Sequence, residues 1–184
     1  MPKLLEREGA CLVVIDVQER LFTHVADGES VLKQILKLVR FSKLIGIPIV
    51  LTEQYPKGLG PTLKVVKEEV AGDAIVKTTF NCFGSEEFVK RLEEIGAKTL
   101  ILSGIETHIC IAQTALDAID RGYRVCVISD ATSSRSLKDK EVGIERMRSE
   151  GVTISSTEML IYELLKDSST DEFKQALRLI KGIP

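Results

Sequence analysis

The sequence predicts an α/β protein of three layers, α/β/α, with a parallel sheet at its centre. Three observations support that expectation. Short apolar runs rich in β-branched residues recur along the chain, each about the length of one buried strand. Stretches with apolar residues at helical spacing separate them, so strand and helix alternate. No repeat, low-complexity tract or linker interrupts the alternation, and 184 residues suit a single domain, 1–184, with a sizeable core.

The first run, Ala10-Cys11-Leu12-Val13-Val14-Ile15, reads as a strand buried on both faces and stops at Asp16. A helix is expected from about Glu29 to Leu44, with Asp27 or Ser30 as its cap. Ile47–Leu51 is the second strand, its proline near the start, where it is tolerated. Two glycines and two prolines mark Thr52–Thr62 as a structured loop, followed by a short charged helix near Leu63–Glu69. Ala74-Ile75-Val76 is a third strand ending at Lys77, and Asn81–Gly84 is loop. Ser85 or Glu86 begins a helix bearing Phe88, Val89, Leu92 and Ile95. Thr99–Leu102 is the fourth strand; a sharp turn eased by Gly104 leads into a helix that Gly122 ends. Tyr123–Ile128 is the fifth strand, and Thr132–Ser136 a polar loop. A helix from Lys138 to Ser149, a sixth strand Val152–Ile154 and two helices, Thr157–Lys166 and Thr170–Lys181, complete the pattern.

A net charge of -2 predicts neither a nucleic-acid surface nor an anionic-membrane surface. No apolar run is long enough to span a bilayer, and the charged start Met1–Glu8 lacks a signal-peptide core, so the expected compartment is the cytoplasm. The four cysteines form no C-x-x-C pair, and two histidines are too few for a His-rich metal site.

Function points to Ser103-Gly104-Ile105-Glu106-Thr107-His108-Ile109-Cys110, where strand turns to helix. Thr107 is the expected N-cap, and Cys110 falls in the first helical turn, where unpaired N–H groups and the dipole favour a thiolate. The alternative is a buried cysteine acting as a small hydrophobe. In a parallel sheet all strand C-termini share one edge, which gathers Asp16, Gln18, Glu53, Gln54, Lys77, Glu106, Cys110, Ser129 and Asp130. His108, two residues from Cys110, points away from it on a helix and is a poor base. Lys77 and Asp16 remain as the ammonium and carboxylate for the thiol, with a purely structural salt bridge as the alternative.

Asp16-Val17-Gln18, Lys77 and Gly104-Ile105-Glu106-Thr107-His108-Ile109-Cys110-Ile111 together resemble the isochorismatase-like cysteine hydrolase superfamily, over about residues 8–165. The stretches Thr52–Gly60 and Asp130–Ser136 are similar to its isochorismatase domain-containing branch. The resemblance implies a Rossmann-like sheet of order 3-2-1-4-5-6 and a catalytic triad of Asp16, Lys77 and Cys110. It also implies a cis peptide between Ile105 and Glu106, and an oxyanion hole from the Glu106 and Cys110 N–H groups. Lys77 then sits two strand spacings, about 10 Å, from the first strand and must reach across.

Thr52–Thr62 lacks the Asp and His of the family's metal site, so no metal and no cofactor are expected. Cys110 favours acyl transfer through a thioester over the cysteine-free chemistry of true isochorismatases. Glu106 replaces a residue that is often small, and so restricts the pocket or repels acidic substrates. Gln18, Tyr55 and Phe80 are candidates for pocket lining, with packing as the alternative for each. The expected function is hydrolysis of a small amide or related acyl compound by a homo-oligomer; the alternative is a silent fold used for binding or assembly. The apolar face of the last helix, with Phe173, Ala176, Leu177 and Ile180, packs on its own domain or on another subunit.

Overall fold

The computed structural model describes residues 4–70 and 72–182. Six strands, β1 (Ala10–Ile15), β2 (Ile49–Gln54), β3 (Ile75–Lys77), β4 (Thr99–Ile105), β5 (Arg124–Ser133) and β6 (Thr153–Ser155), form one sheet of order β3-β2-β1-β4-β5-β6. Every pair is parallel. The order reverses between β1 and β4, so the chain leaves both strands into one crevice.

Strand alternation divides the core in two. Leu12, Val14, Ile101, Cys126 and Ile128 face one layer, made by α2 (Gly28–Leu44), α4 (Lys64–Val70), α8 (Thr157–Leu165) and α9 (Asp171–Lys181). Cys11, Val13, Ile15, Leu100, Leu102, Val125 and Val127 face α5 (Glu86–Ile95), α6 (Ala112–Asp120) and α7 (Leu137–Ser149). The closing helix α9 packs on the chain itself: Ala176 is fully buried, and the Phe173 ring meets Tyr162 edge-on at 5.9 Å.

Caps follow the residue types. Ser85, Ser136, Ser156 and Thr170 accept from backbone N–H groups at the starts of α5, α7, α8 and α9. Asp27 stands at the N-cap of α2 with positive φ, but its side chain does not cap.

Three expectations need correction. β2 is not Ile47–Leu51; it runs on through Thr52, Glu53 and Gln54, which pair with Ile75, Val76 and Lys77. Polar residues at its end masked the strand. β5 likewise continues through the polar segment Asp130–Ser133, because Thr132 and Ser133 resume pairing with Gly104 and Ile105 after a bulge. Short helices α1 (Glu19–Phe22) and α3 (Pro56–Leu59) occupy segments that carry no helical period.

Gly104 is where β4 meets β1 most closely. Its φ is +114°, and a Cβ would overlap the Ile15 carbonyl oxygen and lie 2.7 Å from Ile15 N. Only glycine fits the backbone and the contact together. Gly104→Ala is expected to lower stability by about 3 kcal/mol or more, read as a fall in the urea midpoint; an unchanged midpoint would contradict this packing.

Candidate active site

β1 ends at Asp16, which turns the chain with φ +51° in the left-handed region and is fully buried. An aspartate held there carries a local cost of order 1–3 kcal/mol that its surroundings must offset. Two contacts do so: Thr52 Oγ1 donates to Asp16 Oδ1 at 2.8 Å, and Lys77 Nζ donates to Asp16 Oδ2 at 2.7 Å.

Lys77 spans the gap from the sheet edge. Its backbone pairs with Gln54 on β2, and its side chain passes over that strand to reach β1. Nζ also donates to Gln54 Oε1 at 2.8 Å and approaches the carbonyl oxygens of Thr79 at 3.2 Å and Phe80 at 3.3 Å. With the ion pair's side chains 1% and 0% exposed, the pair is desolvated and needs this full set of partners.

Across the switch point, β4 ends at a cis peptide between Ile105 and Glu106. The next residues, Thr107–Ile111, form a π-helical turn that places Cys110 ahead of α6. This corrects two expectations. Glu106, not Thr107, stands at the N-cap, and the Thr107 hydroxyl is buried without a hydrogen-bond partner. Nor does the helix start yield a thiolate. Burial pushes the Cys110 thiol well above its ordinary range, and the Asp16 carboxylate adds to the rise by charge and by hydrogen bonding; Lys77 pulls the other way but does not prevail. The resting sulfur is a thiol facing a carboxylate.

Other residues of the sheet edge divide by their partners. Gln18 is saturated: its amide donates to Gln54 O at 3.0 Å and Gly60 O at 2.6 Å and accepts from Gln54 N at 2.7 Å. It locks a loop rather than presenting a free group to a pocket. Tyr55 and Phe80 are about half exposed on the two sides of Lys77: Tyr55 N donates to Lys77 O, and the Phe80 carbonyl faces Nζ. Glu106 is nearly buried, and its Oε2 accepts from Arg135 N at 2.9 Å and Nε at 3.2 Å. Among the described residues, the Glu106 N–H donates to no protein group. His108 Nδ1 pairs with Ser134 Oγ at 2.9 Å, away from Cys110. Glu53 ties down Thr62, and Asp130 holds the start of α8.

Sequence reasoning passed over Thr52, Gln54, Arg135 and Cys82. Cys82 lies buried beside the site; its thiol is pushed up to about 11 by burial, with Lys77 lowering and Asp16 raising it. Cys11 and Cys126, pushed up to about 12 chiefly by burial, sit in the two core layers. Among the described residues, no three His, Cys, Asp or Glu side chains are grouped to hold a metal ion, and no helix is long and apolar enough to cross a membrane.

The isochorismatase domain model matches residues 10–159. The chain belongs to the isochorismatase family. Isochorismatase domain-containing protein 2 of Bos taurus is 36% identical over 177 residues, covering 94% of this chain and 83% of that protein. Isochorismatase domain-containing protein 1 of Danio rerio is also 36% identical, over 90% of this chain, which spans only 59% of that longer protein. A MAR1 ribonuclease structure from Caenorhabditis elegans superimposes with a TM-score of 0.90 at 31% identity, covering 97% of this chain and 93% of that one. YcaC of Escherichia coli, described as an octameric hydrolase of unknown specificity, gives a TM-score of 0.89 at 25% identity, covering 99% and 97%. The isochorismatase-like hydrolase fold is thus common to this chain and its relatives.

With the thiol raised, alkylation of Cys110 by iodoacetamide should accelerate about tenfold per pH unit from pH 7 to 9, without a plateau. Peptide-resolved mass spectrometry reads that slope. A plateau beginning below pH 7 would mean a preformed thiolate and would contradict the site's electrostatics.

Proposed function

We propose that this protein is a metal-independent cysteine hydrolase that cleaves a small amide or related acyl compound through a thioester on Cys110. The observation that supports it most directly is the buried Lys77–Asp16 pair, 2.7 Å long, next to a buried thiol at the switch point of the sheet. In this reading Asp16 takes the thiol proton as sulfur attacks the acyl carbon. Lys77 holds Asp16 in place and favours the thiolate as it forms. The Glu106 and Cys110 N–H groups donate to the oxyanion; the unengaged Glu106 N–H fits that task. Collapse of the tetrahedral adduct breaks the C–N bond, and the leaving amine takes the proton from Asp16. A water then loses a proton to Asp16 and attacks the thioester, and the proton returns to sulfur as the acid leaves.

Small substrates suit a site whose three side chains are nearly sealed, with Cys110 only 5% exposed. The Caenorhabditis elegans relative is described as a ribonuclease, but a net charge of -2 and a buried nucleophile favour a small acyl substrate over a polyanion here. Tyr55 and Phe80 are the proposed rim of the pocket. Self-association is proposed as well, on the octamer described for the Escherichia coli relative and on the exposed apolar side chains Tyr55, Val76 and Phe80 near the site.

Incubation with a pool of small amides and esters should leave an acyl adduct on Cys110, seen by intact-mass and peptide mass spectrometry. Cys110→Ala should abolish the adduct and lower turnover of any hit by at least ~1000-fold. Adducts at other cysteines only, or turnover that survives Cys110→Ala, would sink the reading. An intact triad with neither adduct nor turnover across the panel, together with a stoichiometric protein partner, would favour a binding role instead.

A further inference from the structure

Two of the four acceptors around Lys77 Nζ are backbone carbonyls, those of Thr79 and Phe80. Both belong to the turn after β3, so the placement of that turn decides where the ammonium sits. Within the turn, Thr79 Oγ1 donates to Asn81 O at 2.8 Å, and Asn81 Oδ1 accepts from Phe83 N at 3.0 Å. The turn is also gripped from α6. Asn81 Nδ2 donates to Asp117 Oδ2 at 2.6 Å, and Cys82 N donates to Thr114 Oγ1 at 3.0 Å. Asp117 accepts in turn from Arg121 Nε at 2.8 Å, and the Arg121 guanidinium lies 4.7 Å over the ring of Phe83 in the same turn.

Cys110, Thr114, Asp117 and Arg121 follow one another at spacings of four, three and four residues, a single stripe along a helix. The element that bears the sulfur therefore also grips the turn that cradles the ammonium. Burial pushes the Asp117 carboxyl up, but hydrogen bonds from Arg121 and Asn81 outweigh it and keep the group below its usual range. Asp117 is accordingly an ionised acceptor near neutral pH, and the Asn81 amide is matched to it.

We infer that Asn81 and Asp117 are positioning residues that set Lys77 against Cys110, acting through the carbonyls of Thr79 and Phe80 rather than by touching substrate. This rests on the hydrolase reading only in taking Lys77 to act on Cys110. Asparagine is required at 81 because an aspartate there would bring a second carboxylate up to Asp117, and the turn would be pushed off α6.

The test uses the full chain and iodoacetamide, with the rate of Cys110 modification followed from pH 7 to 10. Lys77→Met is the reference and should slow modification about tenfold or more, since the ammonium favours the thiolate. Asn81→Asp should slow it about tenfold and displace the profile toward higher pH. The double variant Asn81→Asp/Asp117→Asn restores an amide-to-carboxylate pair in the opposite sense and should return the rate to within about threefold of wild type. Arg7→Gln, which removes the remote Arg7–Glu172 pair, should leave the rate unchanged and reports any general effect of lost stability. The inference is overturned if Asn81→Asp keeps the wild-type rate while Lys77→Met is slow. It is also overturned if the double variant stays as slow as Asn81→Asp. An unchanged rate in Lys77→Met would remove the coupling between ammonium and sulfur, and with it both the inference and the proposed role of Lys77.

Discussion

The buried ion pair between Lys77 and Asp16 is the constraint to which the rest of the sheet edge conforms. Desolvating two charges costs several kcal/mol each, and their attraction compensates only if the remaining hydrogen-bonding capacity is filled. Thr52 fills one side of the carboxylate; Gln54 and two backbone carbonyls fill the ammonium. That requirement explains why β2 ends in polar residues that are nonetheless buried and paired. It also explains why Asp16 is held in a backbone conformation that aspartate does not favour alone. A core that needed only stability would place aliphatic side chains here.

The same pair decides the state of the sulfur. Its two charges act on Cys110 in opposite directions, so the apolar surroundings prevail and the thiol keeps its proton. A group poised in this way is quiet until a polarised carbonyl arrives, which suits an enzyme that must not react with passing electrophiles. Glu106 is managed similarly: its carboxylate is turned to Arg135, which leaves its own backbone N–H without a protein partner beside the sulfur.

Much of this was legible in the residues. The apolar runs marked six strands, and sharing one sheet edge singled out Asp16, Lys77 and Cys110 from opposite ends of the chain's first two thirds. What escaped notice lay where function overrides pattern. Thr52, Glu53 and Gln54 read as loop because polarity interrupts the strand signal, although their backbones pair with β3. Asp130–Ser133 read as loop for the same reason, although Thr132 and Ser133 rejoin the sheet. Gln18 stood out by position alone; nothing in the chain announced that both faces of its amide would be consumed by Gln54 and Gly60. Thr107 has the residue type of a cap, but a cis bond and a π-helical turn move the helix start away from it. Those backbone states depend on tertiary packing and leave no periodic trace.

The wide turn at Thr107–Ile111 has a consequence for how the polypeptide tolerates change in length. A π-helical turn holds one residue more than an α-helical turn, so it acts as a phase setter for everything after it. Deleting a single residue there would rotate the following helix by about 100° relative to β4. Thr114 and Asp117 would swing off their partners in the loop after β3 even if every side chain in the site were retained. The length of this segment is thus as much a part of the site's specification as the identity of any residue in it.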